Sequence, residues 1–366
     1  MKAIISGGGT GGHIYPALAV AQKLNDKGWE LLYIGSEKGM ENRIISETEI
    51  NFQTIEVAPL KRKISLTVFK TLYKSTRGYF QSKKIIKKFK PDLVFGTGGF
   101  VAGPVVLAGT RSGVNSLIHE QNVYPGLTNK LLSFWVDKIA LNYEEAVKYF
   151  PGDIEEKAVV TGNPIREEIL KTSRSQGINK LGLDKNKYTL LVFGGSQGSK
   201  SINQAMNKVC QYYNNSNRIQ IIYITGQKNY EKIKNQLKDR EIALNRNIFL
   251  LSYLNNMEWA YAAADLVVYR AGATGLSEIT AKGIPAILIP YPFATGDHQT
   301  YNAKNLEKQG AAIVIKDNEL DGNILLQKIK EIFSSRQLLN EMKINSKKLG
   351  KPDATDRLVR LIEDLT

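Results

Sequence analysis

The chain has 366 residues, with 50 Lys and Arg against 35 Asp and Glu, so its formal net charge is 50 − 35 = +15. At 42% apolar and 23% charged it is balanced like an ordinary folded protein, which excludes collagen-like, disordered and coiled-coil classes. Its length exceeds the ~250–300 residues that one core usually serves, which predicts two domains. One cysteine, Cys210, leaves no internal disulfide framework and fits a reducing cytoplasm. The N-terminus, MKAIISGGG, is too short for a signal-peptide core, and no apolar run approaches the ~20 residues of a membrane span. The chain is therefore expected to lie on a membrane at most.

The first predicted strand, Lys2–Ser6, runs into Gly7-Gly8-Gly9-Thr10-Gly11-Gly12, a G-x-G-x-x-G sequence ahead of a helical pattern over Ala17–Lys27. Three readings are open. A dinucleotide site wants an acidic residue at the end of the second strand. That strand is Glu30–Gly35, and the nearest acid, Glu37, comes late and after a glycine. The glycines can serve a tight turn alone, or their missing side chains can let a bulky acceptor approach the backbone. His13 ends the loop at a helix start, at the carboxyl edge of the sheet where α/β ligands bind. Imidazole is the side chain best matched to proton transfer near neutral pH; helix capping or packing is the plainer alternative.

Residues 61–90 hold nine Lys, two Arg and no acid, so +11 of the charge sits in thirty residues and the other 336 carry 15 − 11 = +4. Ile64, Val68, Leu72, Tyr79 and Ile86 fit one helical stripe packed on the sheet. Leu66, Phe69, Tyr73 and Phe80 form a second, more apolar surface than one buried face needs. Lysines beside exposed aromatic and aliphatic groups fit an interfacial segment. Leu66, Phe69, Tyr73, Phe80, Lys83, Lys84, Lys87 and Lys88 are the expected membrane-docking residues. A nucleic-acid reading of the block finds no recognition motif to support it.

Strands Asp92–Gly96, Ser116–His119 and Lys138–Asn142 complete the first half. After Asn163-Pro164 and a polar stretch to Lys187 come Thr189–Phe193, Gln220–Thr225, Asn247–Leu251, Asp265–Tyr269, Ala286–Pro290 and Ala312–Ile315, with a helical pattern over Tyr301–Gln309. Nearly continuous Val/Ile/Leu runs predict strands covered on both faces, hence two doubly wound parallel sheets. Gly194-Gly195-Ser196-Gln197-Gly198-Ser199 and Arg270-Ala271-Gly272-Ala273-Thr274-Gly275-Leu276-Ser277-Glu278 each follow a strand and open a helix, a form that holds phosphate on backbone N–H groups. Glu278 can accept bonds from ribose hydroxyls, although acids are common in first turns for dipole reasons alone. Neither loop is a Walker A sequence, which favours a nucleotide-sugar over a nucleoside triphosphate. His13, His119 and His298 have no metal-ligand spacing, so no metal is expected. The tail carries Leu358, Leu361, Ile362 and Leu365 on one helical side.

GGGTGGH, HEQN (119–122), GNPIR (162–166), GGSQG (194–198), RAGATGLSE (270–278) and DHQTYNA (297–303), in this order, resemble the MurG family of N-acetylglucosaminyltransferases. The resemblance implies a GT-B fold, two Rossmann-like domains facing across a cleft. It implies an N-terminal acceptor and membrane-docking domain, 1–164 with a C-terminal helix at about 350–366, and a UDP-GlcNAc-binding domain, 165–349. The implied reaction is inverting transfer of GlcNAc from UDP-GlcNAc to the MurNAc 4-hydroxyl of undecaprenyl-pyrophosphoryl-MurNAc-pentapeptide (lipid I), with no cofactor. Carried over by position, Thr10, Gly11, Gly12 and Asn122 line the sugar, and Arg166 and Ser196 contact the diphosphate. Leu254 offers its backbone to uracil, Ala273, Thr274, Gly275, Leu276, Ser277 and Glu278 surround diphosphate and ribose, and Gln299 and Asn302 read GlcNAc. His13 is the candidate base and Glu120 its rival. Expected partners are UDP-GlcNAc, lipid I, an anionic membrane at its cytoplasmic face and cell-wall synthesis proteins, with no nucleic acid. A diacylglycerol glycosyltransferase or a UDP-sugar epimerase of the same fold is the alternative.

Overall fold

The computed structural model describes residues 1–59, 66–195, 197–244 and 246–366, with backbone alone for 66–70 and 295. The chain forms two compact units, one of residues 1–166 and 353–366, the other of 167–352. Each is built around an all-parallel sheet.

In the first unit the strands are β1 (Lys2–Gly7), β2 (Glu30–Ser36), β3 (Asn51–Ile55), β4 (Leu93–Gly98), β5 (Asn115–Glu120), β6 (Lys138–Leu141) and β7 (Ala158–Val160), in spatial order β3-β2-β1-β4-β5-β6-β7. Helix α1 (Gly11–Asp26) packs Ile14, Ala17, Val20, Ala21 and Leu24 on one sheet face. The short α2 (Met40–Ile45) follows β2. Helices α3 (Leu66–Phe89), α4 (Gly99–Thr110) and α5 (Leu127–Leu132) cover the other face, contributing Ile86, Val101, Val105 and Leu132 to its core.

The second unit contains α6 (Glu167–Lys171), α7 (Arg174–Leu181), β8 (Tyr188–Phe193), α8 (Lys200–Tyr213), β9 (Ile219–Ile224), α9 (Tyr230–Lys238), β10 (Ile248–Leu251), α10 (Met257–Ala263), β11 (Leu266–Tyr269), α11 (Ala273–Ala281), β12 (Ala286–Leu288), α12 (His298–Lys308), β13 (Ala312–Val314), α13 (Gly322–Ser334) and α14 (Arg336–Leu349). Its strand order is β10-β9-β8-β11-β12-β13. The last helix, α15 (Ala354–Glu363), returns to the first unit. There Leu358, Val359 and Ile362 join the α1 face, flanked by Lys23–Asp356 and Lys27–Glu363 ion pairs at 3.0 and 2.6 Å.

Both sheets reverse their winding beside the first strand of the unit, between β1 and β4 and between β8 and β11. Doubly wound sheets bind ligands at such switch points, outside the carboxyl ends of the strands. Two edge strands, β3 and β7, are additions to the predicted set. The β3 sequence, NFQTI, is mostly solvent-facing and lacks the aliphatic run of a strand covered on both faces, and β7 has only three residues.

Helix α3 departs from expectation on one face. Leu72, placed by periodicity on the buried stripe, is 62% exposed. The packed face instead runs through Thr71, Gly78, Ser82 and Ile86. Small residues are needed there because the helix lies close to the chain leaving β3: a Cβ at Gly78 would meet the Glu56 carbonyl oxygen at 2.6 Å. Tyr73 and Phe80 are each 63% exposed, beside exposed Lys83, Lys84, Lys87 and Lys88. Ile64 lies outside the described residues, as do the side chains of Leu66, Val68 and Phe69.

Candidate active site

At the β1/β4 switch point the pairing runs Ser6 to Gly96, then Gly7 to Gly98, so Thr97 is an extra residue on β4. Bulges of this kind re-aim backbone groups next to functional sites. Here the Thr97 carbonyl faces the His13 ring, with Nδ1 at 2.9 Å, and the Thr97 hydroxyl donates to the His13 carbonyl at 2.8 Å. The ring lies against Gly98, whose φ of +100° and missing Cβ leave room for it: a Cβ there would be 3.1 Å from Nδ1.

The hydrogen bonds around His13 fix its tautomer. Gln121 Nε2 donates to the Thr97 carbonyl at 2.8 Å and to His119 Nδ1 at 3.0 Å, while its Oε1 stands 3.1 Å from His13 Nδ1. His119, fully buried in β5, donates from Nε2 to the Gly162 carbonyl at 2.9 Å. His13 Nδ1 thus faces two acceptors, the Thr97 carbonyl and Gln121 Oε1, and must carry the proton. In the neutral ring the lone pair is then on Nε2, which can accept a proton.

Glu120 is spent differently. It is 1% exposed, and Oε1 accepts from Asn122 N and Nδ2, each at 3.0 Å. Oε2 accepts from Gly126 N at 3.0 Å and Asn129 Nδ2 at 2.8 Å. Three of these bonds tie the loop after β5 and the fourth ties it to α5, and Asn122 turns its amide nitrogen toward this carboxylate.

The glycine loop is shaped largely by the protein itself. A Cβ at Gly7 would strike Thr97, one at Gly8 would come within 2.8 Å of Glu41 and Val101, and one at Gly11 would press on Tyr15. Glu41, buried on α2, accepts from Ser36 N at 3.0 Å, from the Ser36 hydroxyl at 2.5 Å and from Gly9 N at 3.2 Å. The carboxylate that meets both the end of β2 and the loop amide thus comes from α2, as Glu41 and not Glu37. Thr10 stands exposed at the N-cap of α1, with Gly11 and Gly12 in the first turn. Arg166, the last residue of this stretch of the unit, lies over the Tyr15 ring at 5.1 Å.

In the second unit the carboxyl edge carries the loop after β8, of which Ser196 lies outside the described residues. It also carries Leu254, in the loop after β10, and the N-terminus of α11. Ala273, Gly275, Leu276, Ser277 and Glu278 are buried in α11, with Thr274 half-buried. Tyr269 packs beneath this turn, within 2.7 Å of a Cβ placed at Gly272 or Gly275. Burial, and then the charge of Glu278, raise the pKa of its phenol well above the ordinary value. Gln299 Oε1 accepts from Tyr291 N at 2.9 Å. Asn302 is fully buried, and its amide donates to the Ala271 carbonyl at 3.2 Å, which steadies the chain entering α11.

Arg270 was not singled out from the sequence, yet it ties this edge together. Nη1 reaches the Ile289 and Pro290 carbonyls at 3.1 and 3.2 Å and Asp317 Oδ1 at 2.6 Å, and Nη2 reaches the Ser201 hydroxyl at 2.9 Å. Among the described residues no group of three or more His, Cys, Asp or Glu is placed to hold a metal, and no helix is long and apolar enough to cross a membrane.

Residues 3–141 match the glycosyltransferase family 28 N-terminal domain and residues 189–358 its C-terminal domain. The chain is 55% identical over its whole length, and 99% of the relative's, to the UDP-N-acetylglucosamine--N-acetylmuramyl-(pentapeptide) pyrophosphoryl-undecaprenol N-acetylglucosamine transferase of Halothermothrix orenii. The chain belongs to the MurG family. The Bacillus subtilis protein of the same name is 43% identical, with 100% of this chain and 99% of the relative covered. The crystal structure of Acinetobacter baumannii MurG superposes with a TM-score of 0.77 at 31% identity, covering 99% of both chains. A UDP-GlcNAc 2-epimerase from Neisseria meningitidis, bound to UDP-GlcNAc, covers both chains in full at 13% identity and a TM-score of 0.71, which shows a shared fold alone.

Proposed function

We propose that this glycosyltransferase of the MurG family moves GlcNAc from UDP-GlcNAc to the MurNAc 4-hydroxyl of undecaprenyl-pyrophosphoryl-MurNAc-pentapeptide. The observation that carries this reading is identity of 43–55%, over full length, to transferases whose names specify donor product and acceptor. The second unit takes the donor and the first unit the acceptor. Thr10, Gly11, Gly12 and Asn122 line the sugar, and Arg166 and Ser196 contact the diphosphate. Leu254 meets uracil through its backbone, the first turn of α11 serves the diphosphate, Glu278 meets ribose, and Gln299 contacts GlcNAc. Burial of Asn302 against the Ala271 carbonyl favours a supporting part for it over a direct sugar contact.

His13 takes the proton from the acceptor hydroxyl as that oxygen attacks the anomeric carbon with inversion. Its protonated Nδ1, held by Thr97 and Gln121, supports this role, because Nε2 then carries the accepting lone pair. Glu120 is weaker as a base, since both its oxygens already take donors, from the loop after β5 and from Asn129 on α5. The departing UDP gains charge on its β-phosphate, and the N-terminus of α11 can stabilise it through backbone dipoles without a metal. The test is transfer of labelled GlcNAc from UDP-GlcNAc to a lipid I analogue or to diacylglycerol. Label on diacylglycerol alone, or conversion of UDP-GlcNAc without transfer, would overturn the acceptor assignment.

The enzyme works peripherally at the cytoplasmic membrane face, docked by α3. Leu72, Tyr73 and Phe80 beside Lys83, Lys84, Lys87 and Lys88 support this. Leu127, Leu131, Phe134 and Trp135, on and just after α5 on the same side of the sheet, are exposed as well. Each Lys near an anionic leaflet is worth ~1 kcal/mol. Reversing all four lysines to Glu is therefore expected to weaken binding to phosphatidylglycerol vesicles by at least about a hundredfold at low salt, less as salt rises, with UDP affinity unchanged. Unaltered sedimentation with vesicles would return the lysines to a merely solvated helix face.

A further inference from the structure

The second unit has a cavity of about 620 Å³ at the amino edge of its sheet, where Tyr188 begins β8, Asp265 precedes β11 and Ile284 precedes β12. The nucleotide-facing loops lie at the opposite ends of these strands. Since β8 has six residues, the two edges are ~20 Å apart. Six of the fifteen lining residues are Arg174, Lys185, Lys187, Lys282, Lys343 and Lys347, and one, Asp265, is acidic. Lys and Arg make up only 50 of 366 residues overall, so general lysine richness does not account for this wall.

The single acid is already occupied. Asp265 Oδ2 accepts from Arg174 Nη2 at 2.8 Å and Thr189 N at 2.9 Å, and Oδ1 faces Lys343 Nζ at 3.2 Å. Asp184, beside the wall, receives the Asn186 amide at 2.9 Å. The half-buried lysines meet neutral acceptors: Lys282 donates to the Thr172 carbonyl at 2.8 Å, and Lys187 to Asn247 Oδ1 at 2.6 Å. Burial lowers the pKa of the Lys282 ammonium. Ligand cavities run ~300–1,000 Å³, so this one has room for more than a single ion.

We propose that this cavity binds a small molecule carrying two or more phosphate groups, at a site separate from the donor loops. Phosphate oxygens would take charge-assisted bonds from Lys282, Lys187 and the outer Lys185 and Lys347, without displacing the Arg174–Asp265 pair. The same chemistry could come from a free polyphosphate or from lipid headgroups, and the test separates them.

Inorganic tripolyphosphate is titrated by calorimetry into the full chain saturated with UDP, alongside sedimentation with phosphatidylglycerol vesicles. Wild type is compared with K185E/K347E, two exposed positions whose replacement should leave the melting temperature without ligand unchanged. Saturable one-to-one tripolyphosphate binding, weakened at least tenfold in the variant while UDP affinity holds, supports a soluble ligand. Loss of vesicle binding alone in the variant assigns the phosphates to lipid. Non-stoichiometric binding, or binding equal in both proteins in both assays, overturns the site.

Discussion

Replacing His13 by Ala is expected to lower kcat by ~10²–10⁴-fold, the usual contribution of a positioned general base, while UDP-GlcNAc affinity stays near wild type. The separation follows from the roles proposed: His13, at the β1/β4 switch point, meets the acceptor hydroxyl, while Glu278, Leu254 and the phosphate-ready loops proposed for UDP belong to the second unit. Alanine is a good helix former and His13 is only half-buried in the first turns of α1, so the fold should persist. The measurement is steady-state transfer to a lipid I analogue with calorimetric titration of UDP-GlcNAc. Gln121→Ala supplies a control on mechanism. It removes the Oε1 that helps hold Nδ1 but leaves the Thr97 carbonyl, so turnover should fall less than in His13→Ala. Near wild-type turnover in His13→Ala, with donor binding intact, would remove His13 from the chemistry.

What could be read from the sequence follows from burial. Strands covered on both faces carry unbroken aliphatic runs, as in β8 with Thr189–Phe193, and these were legible to within a residue or two. The edge strand β3 faces water with Asn51, Gln53 and Thr54 and has no such run. His13 was legible because it adjoins the glycines. Its partners were not, since Thr97 and Gln121 lie 84 and 108 residues away and meet it only through strand order and a bulge. Glu41 was missed for a similar reason: it reaches the loop from a helix beyond β2, where a strand-end acid was sought. Leu72 shows the limit of periodicity on a long amphipathic helix. Apolar residues on two stripes of α3 do not say which stripe packs, and close approach to the chain after β3 selected the one with Gly78 and Ser82.

Arg270→Ala is expected to destabilise the second unit by about 2–3 kcal/mol, the cost of losing charge-assisted bonds of a buried guanidinium, below that of a fully buried ion pair because Asp317 keeps part of its hydration. Arg270 is the buried end of the pair at 8% exposure, whereas the Asp317 side chain is 23% exposed, so the carboxylate left behind keeps the Ser201 hydroxyl at 2.5 Å and part of its hydration. The Ile289 and Pro290 carbonyls lose their donors as well. Those carbonyls lead into Tyr291, whose amide is held by Gln299, so the loss should reach the donor edge and weaken UDP-GlcNAc binding along with stability. Arg270→Lys separates charge from shape. An ammonium can satisfy Asp317, but it lacks the planar fork that reaches two carbonyls and the Ser201 hydroxyl together. Thermal melts should therefore rank wild type above Lys above Ala, with UDP affinity in the same order. If Ala melted with wild type, the guanidinium would be a passenger on loops fixed by their own packing; if Lys matched wild type in both assays, charge alone would hold the edge.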